Sequence, residues 1–227
     1  MSALRIFLVI ISNIIAPVVT GSNDIFPQDT LRENQVLYNG RVWRNLHSRI
    51  MGDQFLFTPE LIPGSVAING RLFSNIPLKY DIYHDELITE TNHGILLQLN
   101  KEMVDSFSLN YLNNNYFFVR SDSTKEYSGY VNFLYAGRSI FLVKYMKKVE
   151  LLAVEKKYDQ FYQVNRMYLV RDQKIDQFAG RLEFFRLMGD HKSEVRSYMK
   201  KNNLSPSKND PAAFVPLIRF YDSISNQ

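Results

Sequence analysis

A chain of 227 residues with 45% apolar and 22% charged residues is long enough to bury a core without covalent cross-links. It contains no cysteine, which excludes disulfides, thiolate metal sites, thiol redox chemistry and a lipid attached to an N-terminal cysteine. The formal net charge is +4, and the sixteen Lys or Arg of residues 138–208 alternate with apolar residues as on solvated faces, so we expect no nucleic-acid partner.

The first 21 residues have the pattern of a secretory leader. A short basic start, Met1 to Arg5, precedes an apolar run over residues 6–19, and small residues follow at 20 and 21. The apolar run is too short to span a bilayer comfortably. We therefore predict a signal peptide over 1–21, a secreted, periplasmic or cell-envelope location, and membrane contact that is at most peripheral. An uncleaved anchor and a first strand are the alternatives.

Two Asn-Gly pairs predict tight hairpin turns in the first half of the chain. Asn39-Gly40 lies between the apolar segments 35–38 and 41–46, and Asn69-Gly70 lies between 64–68 and 71–73. Asn-Gly readily adopts the positive φ angles that a two-residue hairpin turn needs.

Alternating apolar and polar residues predict further strands as far as residue 170. About ten to twelve antiparallel strands result, which favours a barrel, a sandwich or a strongly curved sheet. We predict a mainly β (α+β) fold with a hairpin-rich, barrel-like or strongly curved sheet. The additional predicted strands cover residues 77–83, 86–91, 95–99, 103–109, 116–120, 130–135, 139–147 and 160–170.

The apolar spacing changes near Ile175 from that of a strand to that of a helix. Phe178, Leu182 and Phe185 lie on one predicted helical face, and Asp190 is a predicted cap for a second helix. Pro216 should bend the last helix or delay its start. The helical tail is predicted over about 176–226, packed on the sheet as part of a single domain over 22–227.

The common catalytic motifs are absent from the sequence, so we predict no cofactor. The four histidines, at 47, 84, 93 and 191, lack the paired spacing of metal sites, so we also predict no metal. The best polar cluster is Asp81, His84, Asp85 and Glu86, where one strand ends and the next begins. These are the candidate catalytic residues, as an acid and base pair for sugar hydrolysis. Calcium binding and a merely solvated turn are the alternatives.

Aromatic residues are abundant, with fourteen Tyr and sixteen Phe against one Trp, Trp43. Some tyrosines could form a platform for sugar rings or apolar ligands, but packing in the core is the favoured interpretation, for Trp43 as well. The tyrosines on predicted strands are Tyr83, Tyr130, Tyr135, Tyr158, Tyr162 and Tyr168.

Several fragments over about 35–225 resemble uncharacterised secreted proteins of Bacteroidetes-type bacteria. These fragments are strand and turn signals, and the resemblance implies an exported bacterial protein without supplying functional residues. They are Gly64-Ser65-Val66, Asn69-Gly70, Phe73, Pro77 to Asp81, Asp85-Glu86-Leu87, Gly129-Tyr130, Leu134 to Gly137 and Tyr198 to Leu204.

An export signal and a β scaffold without a recognisable reactive site favour one function above others. We expect a non-enzymatic protein of the cell envelope that binds a ligand or a protein partner. The alternative is an envelope hydrolase that uses the acidic cluster from Asp81 to Glu86.

The leader is tested by expressing the full chain in a secreting host and measuring the mass of the exported protein. We expect the loss of about 21 residues, because signal peptidase cleaves after small residues such as those that end the apolar run. Exported protein that keeps Met1 would contradict the prediction.

Overall fold

The computed structural model describes residues 35–121, 127–151 and 159–225, within which eleven strands form one antiparallel sheet and three α-helices follow. The predicted signal peptide and Tyr158 lie outside the described residues. A mainly β fold with C-terminal helices is confirmed, and so is the expected number of strands. No helix among the described residues has the length and apolar character needed to cross a bilayer.

The strands follow one another mostly as hairpins, and their order in the sheet is β1-β5-β4-β3-β2-β6-β7-β8-β9-β10-β11. The strands are β1 (Gly40–Val42), β2 (Ile62–Ile68), β3 (Arg71–Asp81), β4 (Glu86–Glu90), β5 (Leu96–Leu99), β6 (Val104–Tyr111), β7 (Asn114–Ser121), β8 (Gly129–Ala136), β9 (Ile140–Glu150), β10 (Gln160–Arg171) and β11 (Lys174–Phe178).

The two Asn-Gly pairs behave differently. Asn69 and Gly70 both have positive φ, 49° and 77°, and join β2 to β3 as the predicted tight hairpin. The hairpin predicted at Asn39-Gly40 is wrong. Residues 35–37 are helical, and β1 pairs instead with β5, with Gly40 opposite Leu99. A Cβ on Gly40 would collide with the backbone carbonyl of Gln98, so this close pairing needs glycine.

The boundary between strands and helices lies further along the chain than predicted. Residues 174–178 form β11, which pairs with β10 across a turn at Asp172 and Gln173, both with positive φ. Phe178 therefore belongs to the sheet, because pairing with Met167 outweighs its helical spacing. The helices are α1 (Arg181–Leu187), α2 (Lys192–Lys201) and α3 (Val215–Ile224).

Caps and prolines explain where the last two helices begin. Asp190 lies in a 3₁₀ turn and does not cap α2, whose cap position is His191. Pro216 does delay the last helix as predicted, because 211–214 form a 3₁₀ turn and α3 begins only at Val215.

The sheet is not closed, so the barrel-like form of the fold prediction is only partly supported. The edge strands β1 and β11 each pair with one neighbour. The sheet nevertheless bends strongly, as one hydrogen bond shows. The backbone N–H of Lys147 in β9 donates to the carbonyl of Ile82, just after β3, at a distance of 3.1 Å. Four strands separate β3 from β9, a distance of about 24 Å in a flat sheet.

The helices pack on the sheet as expected and complete its main core. Phe141 of β9 and Phe178 of β11 contact Phe214, which lies between α2 and α3, with ring centroids 6.3 and 5.3 Å apart. Phe184 of α1 joins the same cluster, 5.0 Å from Phe214. All four rings are buried, so the last third of the chain shares one apolar core with the sheet.

A buried carboxylate fixes α3 against the sheet. Asp222 accepts hydrogen bonds from the backbone N–H and the hydroxyl of Ser139, at 2.9 and 2.6 Å, and from the Tyr135 hydroxyl at 3.1 Å. These polar contacts set the position of the helix more specifically than apolar packing alone.

Two leucine substitutions on the helices test this packing. Leu217→Ala on α3 should lower the free energy of unfolding by about 2–5 kcal/mol, because Leu217 is fully buried and its loss leaves a cavity. Leu182 is 72% exposed and does not share the buried face of Phe185 that its spacing predicts, so Leu182→Ala on α1 should change the free energy of unfolding by less than about 0.5 kcal/mol. Urea unfolding of both variants measures the difference. Equal effects would contradict the packing described here.

Candidate functional site

The hairpin turn between β3 and β4 carries the acidic cluster that the sequence singles out, and the turn divides it. Asp81 ends β3 and Glu86 begins β4, and the two residues are register partners, so their side chains leave the same face of the sheet. Asp85 lies in the turn with φ of 62°, in the left-handed region that Asp tolerates. Asp81, His84 and Glu86 stay together, while the Asp85 carboxylate makes separate contacts.

Asp81 is fully buried and holds His84 in place. Its carboxylate accepts backbone N–H groups of Tyr83 and His84 at 3.0 Å and the Gln54 side-chain amide at 2.6 Å. The same carboxylate lies 2.9 Å from Nδ1 of His84. The second ring nitrogen of His84 therefore faces away from Asp81.

A segment that precedes β2 supplies a second imidazole. His47 Nε2 lies 3.2 Å from His84 Nε2, and the two rings stack at an interplanar angle of 25°. The segment is fixed at two places. The backbone N–H of Met51 donates to the Asp159 carbonyl, and the Met51 carbonyl accepts from the Phe161 N–H. The backbone N–H of Ile82 donates to the Gln54 carbonyl.

Aromatic rings surround the His47–His84 pair. Tyr83 lies edge-on to His47 with ring centroids 5.1 Å apart and contacts His84 at 4.8 Å. Phe161 of β10 contacts both His47 and Tyr83, at 5.9 and 5.3 Å. The four rings form a partly exposed aromatic surface, in which Tyr83 is 38% exposed.

A cleft of about 400 Å³ opens beside this surface, and we refer to it as the His84 cleft. Its wall contains an ion pair, because Nη2 of Arg41 lies 3.3 Å from Oε1 of Glu86. The cleft combines charged, polar and apolar side chains. Its lining consists of Arg41, Val42, Trp43, Arg44, Leu46, Gln54, His84, Glu86 and Gln98.

Trp43 is half-buried and lines the cleft, so it is not purely the core anchor that the sequence suggests. Its ring contacts Phe55 at 5.7 Å, and Nζ of Lys79 lies 4.7 Å from its centroid. Burial lowers the pKa of Lys79, and nearby acidic residues offset part of that shift. Phe55 and Lys79 thus pack against the indole of Trp43, and part of the indole lines the cleft.

Asp85 lies in a separate, largely buried ion network. Its carboxylate contacts Nζ of Lys144 at 2.7 Å and Nζ of Lys101 at 2.5 Å, and it accepts the Tyr80 hydroxyl. A Cβ on Gly129 would collide with this carboxylate, so glycine permits the close approach. Burial lowers the pKa of Lys144 and raises that of Tyr80 well above its usual value, with Asp85 offsetting part of the Lys144 shift and adding to that of Tyr80.

A larger cleft of about 650 Å³ adjoins the first on the other side of Arg41 and Gln98. Lys101 and Arg120 contribute to its wall. Lys101 already pairs with Asp85, and Arg120 donates to the Lys101 carbonyl. Lys101 thus serves both this cleft and the Asp85 network.

The structure brings together three of the four predicted site residues and separates Asp85 from them. Sequence reasoning missed His47, because 37 residues separate it from His84 and no spacing rule links them. His93, the other histidine near the cluster, lies exposed in the β4–β5 turn and does not line the cleft. Tyr130 and Tyr168 are buried, as the packing interpretation predicts, whereas Tyr83 and Tyr162 remain partly exposed.

Comparison of the chain with protein-family models, with curated proteins and with solved structures gives no match. Function is therefore inferred from the residues of the cleft and their chemistry.

The structural role of Asp85 is tested by Asp85→Asn. This change removes the charge but keeps a side chain that tolerates the left-handed backbone. It should lower the free energy of unfolding by about 3 kcal/mol, because Lys144 is left as a largely buried cation without its partner.

Glu102→Gln is the matched control, since Glu102 is exposed and adjacent to Lys101, and its effect should stay below about 0.5 kcal/mol. Urea unfolding measures both variants. If Asp85→Asn is as stable as the native chain, the ion network does not hold the turn.

Proposed function

We propose that the protein is an exported cell-envelope protein that binds a polar ligand in the His84 cleft without transforming it. The ligand class that fits is a molecule with hydrogen-bonding groups and one apolar face, as a sugar ring has. The His84 cleft itself is the observation that carries the proposal. Export rests on the predicted leader and on the resemblance to secreted bacterial proteins.

The composition of the cleft wall supports ligand binding. Binding sites combine apolar and aromatic walls with a few fixed polar groups that orient the ligand. Trp43 and Leu46 supply apolar surface here, and Arg41, Gln98 and Glu86 supply donors and acceptors. The Nε of Arg41 donates to Oε1 of Gln98 over 2.6 Å, which orders these polar groups before a ligand arrives.

The surroundings of the acidic residues weigh against the predicted acid and base pair. Asp81 is fully buried and already accepts bonds from Gln54, Tyr83 and His84. Asp85 belongs to the ion network with Lys144. A general acid or base must reach the substrate, and neither carboxylate lines the cleft.

One observation favours the alternative, an envelope hydrolase. The carboxylate of Asp81 orients His84 through Nδ1, which is the arrangement that orients a histidine base in many hydrolases. In that case His84 would be the general base, and Glu86 would be the only carboxylate of the cluster able to reach substrate in the cleft.

Binding is tested by titrating the mature protein with soluble fragments of envelope polysaccharides and peptidoglycan. We expect at least one fragment to bind and to remain chemically unchanged. Arg44→Ala should weaken that binding by about tenfold, because Arg44 lines the cleft and a lost charged hydrogen bond costs about 1.5 kcal/mol or more.

Arg49→Ala is the matched control, since Arg49 is an exposed arginine of the same segment that does not line the cleft. Equal loss in both variants, or no bound fragment, would contradict binding in the cleft. Turnover of a fragment by the native protein that His84→Ala abolishes would establish the hydrolase instead.

A further inference from the structure

Two imidazole nitrogens approach each other at the spacing of ligands on one metal ion. Nε2 of His47 and Nε2 of His84 lie 3.2 Å apart. Nitrogens that bind one tetrahedral zinc ion at about 2.0–2.1 Å are themselves about 3.3 Å apart. The alternative for this pair is a hydrogen bond in which one ring carries the shared proton.

Asp81 orients the His84 ring as a carboxylate behind a metal ligand does. Its carboxylate, 2.9 Å from Nδ1, favours a proton on that nitrogen and leaves the lone pair on Nε2. A carboxylate behind a ligating histidine fixes the ring and raises its basicity. Three further hydrogen bonds, from Gln54 and from the backbone of Tyr83 and His84, hold Asp81 itself.

The Glu86 carboxylate lies close to His84. Ligand atoms of Asp81, His84 and Glu86 lie within 4.8 Å of one another. Oε1 of Glu86 pairs with Arg41, whose side chain is 74% exposed. Glu86 thus adds a carboxylate close to His84, whereas the His47–His84 pair supplies two nitrogen ligands of the kind that zinc binds.

We propose that His47 and His84 bind one divalent transition-metal ion of the zinc type, with Asp81 as the outer partner of His84 and with water or a bound ligand in the remaining positions. Two imidazole ligands select against calcium and magnesium, which prefer oxygen. His84 lines the His84 cleft, so a ligand bound in the cleft would lie beside the ion. This inference deepens the proposed function, because it places the ion in the wall of the same cleft.

The test uses the mature protein, treated with a chelator and then dialysed, and titrated with zinc chloride at pH 7.5 in a calorimeter. We expect one ion per chain and a higher melting temperature with zinc than without it. Cobalt(II) should give the visible absorption of a four-coordinate site. Calcium and magnesium at the same concentrations should produce neither effect.

Variants locate the ion. His47→Ala and His84→Ala should each weaken zinc binding at least tenfold and remove the cobalt absorption. Asp81→Asn should weaken binding about 10- to 100-fold through its effect on His84. Circular dichroism reports whether each variant is folded, and neither histidine is buried, so neither substitution opens a cavity in the core. His93→Ala, at an exposed histidine away from the cleft, should bind like the native chain.

Two results would overturn the proposal. One is a native protein that does not bind zinc, in which case the 3.2 Å approach is a hydrogen bond. The other is undiminished binding in folded His47→Ala and His84→Ala. Either result leaves the Arg44→Ala test of the cleft intact. Conversely, zinc binding without any bound saccharide fragment would support the metal site and contradict the proposed ligand.

Discussion

The ion network of Asp85 is the contact on which the rest of the structure depends. Asp85 lies in the β3–β4 turn, whereas Lys144 lies on β9 and Lys101 lies in the connection between β5 and β6. One carboxylate therefore joins parts of the bent sheet that are distant in strand order. Its charge must be matched in a largely buried environment, which fixes the turn in one conformation.

That fixed turn determines what the His84 cleft can contain. The Asp85 carboxylate contacts Lys144, away from the rest of the acidic cluster. Glu86 and Asp81 are register partners whose side chains leave the same face of the sheet, and His84 lies close to both. The segment before β2 then crosses this face and contributes His47. A few residues of the connections thus form a site on a rigid sheet, which is the usual relation between loops and scaffold.

The site also separates two kinds of electrostatic environment a few residues apart. Around Asp85, opposite charges are paired and largely buried, which suits structural support. Around His84, an imidazole held by Asp81 meets a partly exposed wall that includes Arg41 and Glu86. In the first arrangement the charges satisfy one another, and in the second several polar groups face the cleft.

The Asn-Gly pairs illustrate why local signals predict some elements and not others. At Asn69-Gly70 both neighbouring segments are strands able to pair with each other, and the hairpin forms as predicted. At Asn39-Gly40 the following segment finds its partner in β5, which is distant in sequence. Phe178 likewise follows a helical spacing but pairs in β11, since tertiary contacts outweigh weak local preferences.

The sequence alone determined the mainly β class, most strand positions, the helical end and the grouping of Asp81 with His84 and Glu86. These features depend on side-chain period, turn chemistry and adjacency along the chain, which are local properties. Only the tertiary structure decided that the sheet stays open, that Asp85 serves an ion network and that His47 meets His84. Those outcomes depend on contacts between residues far apart in the chain, for which a single sequence contains no spacing rule.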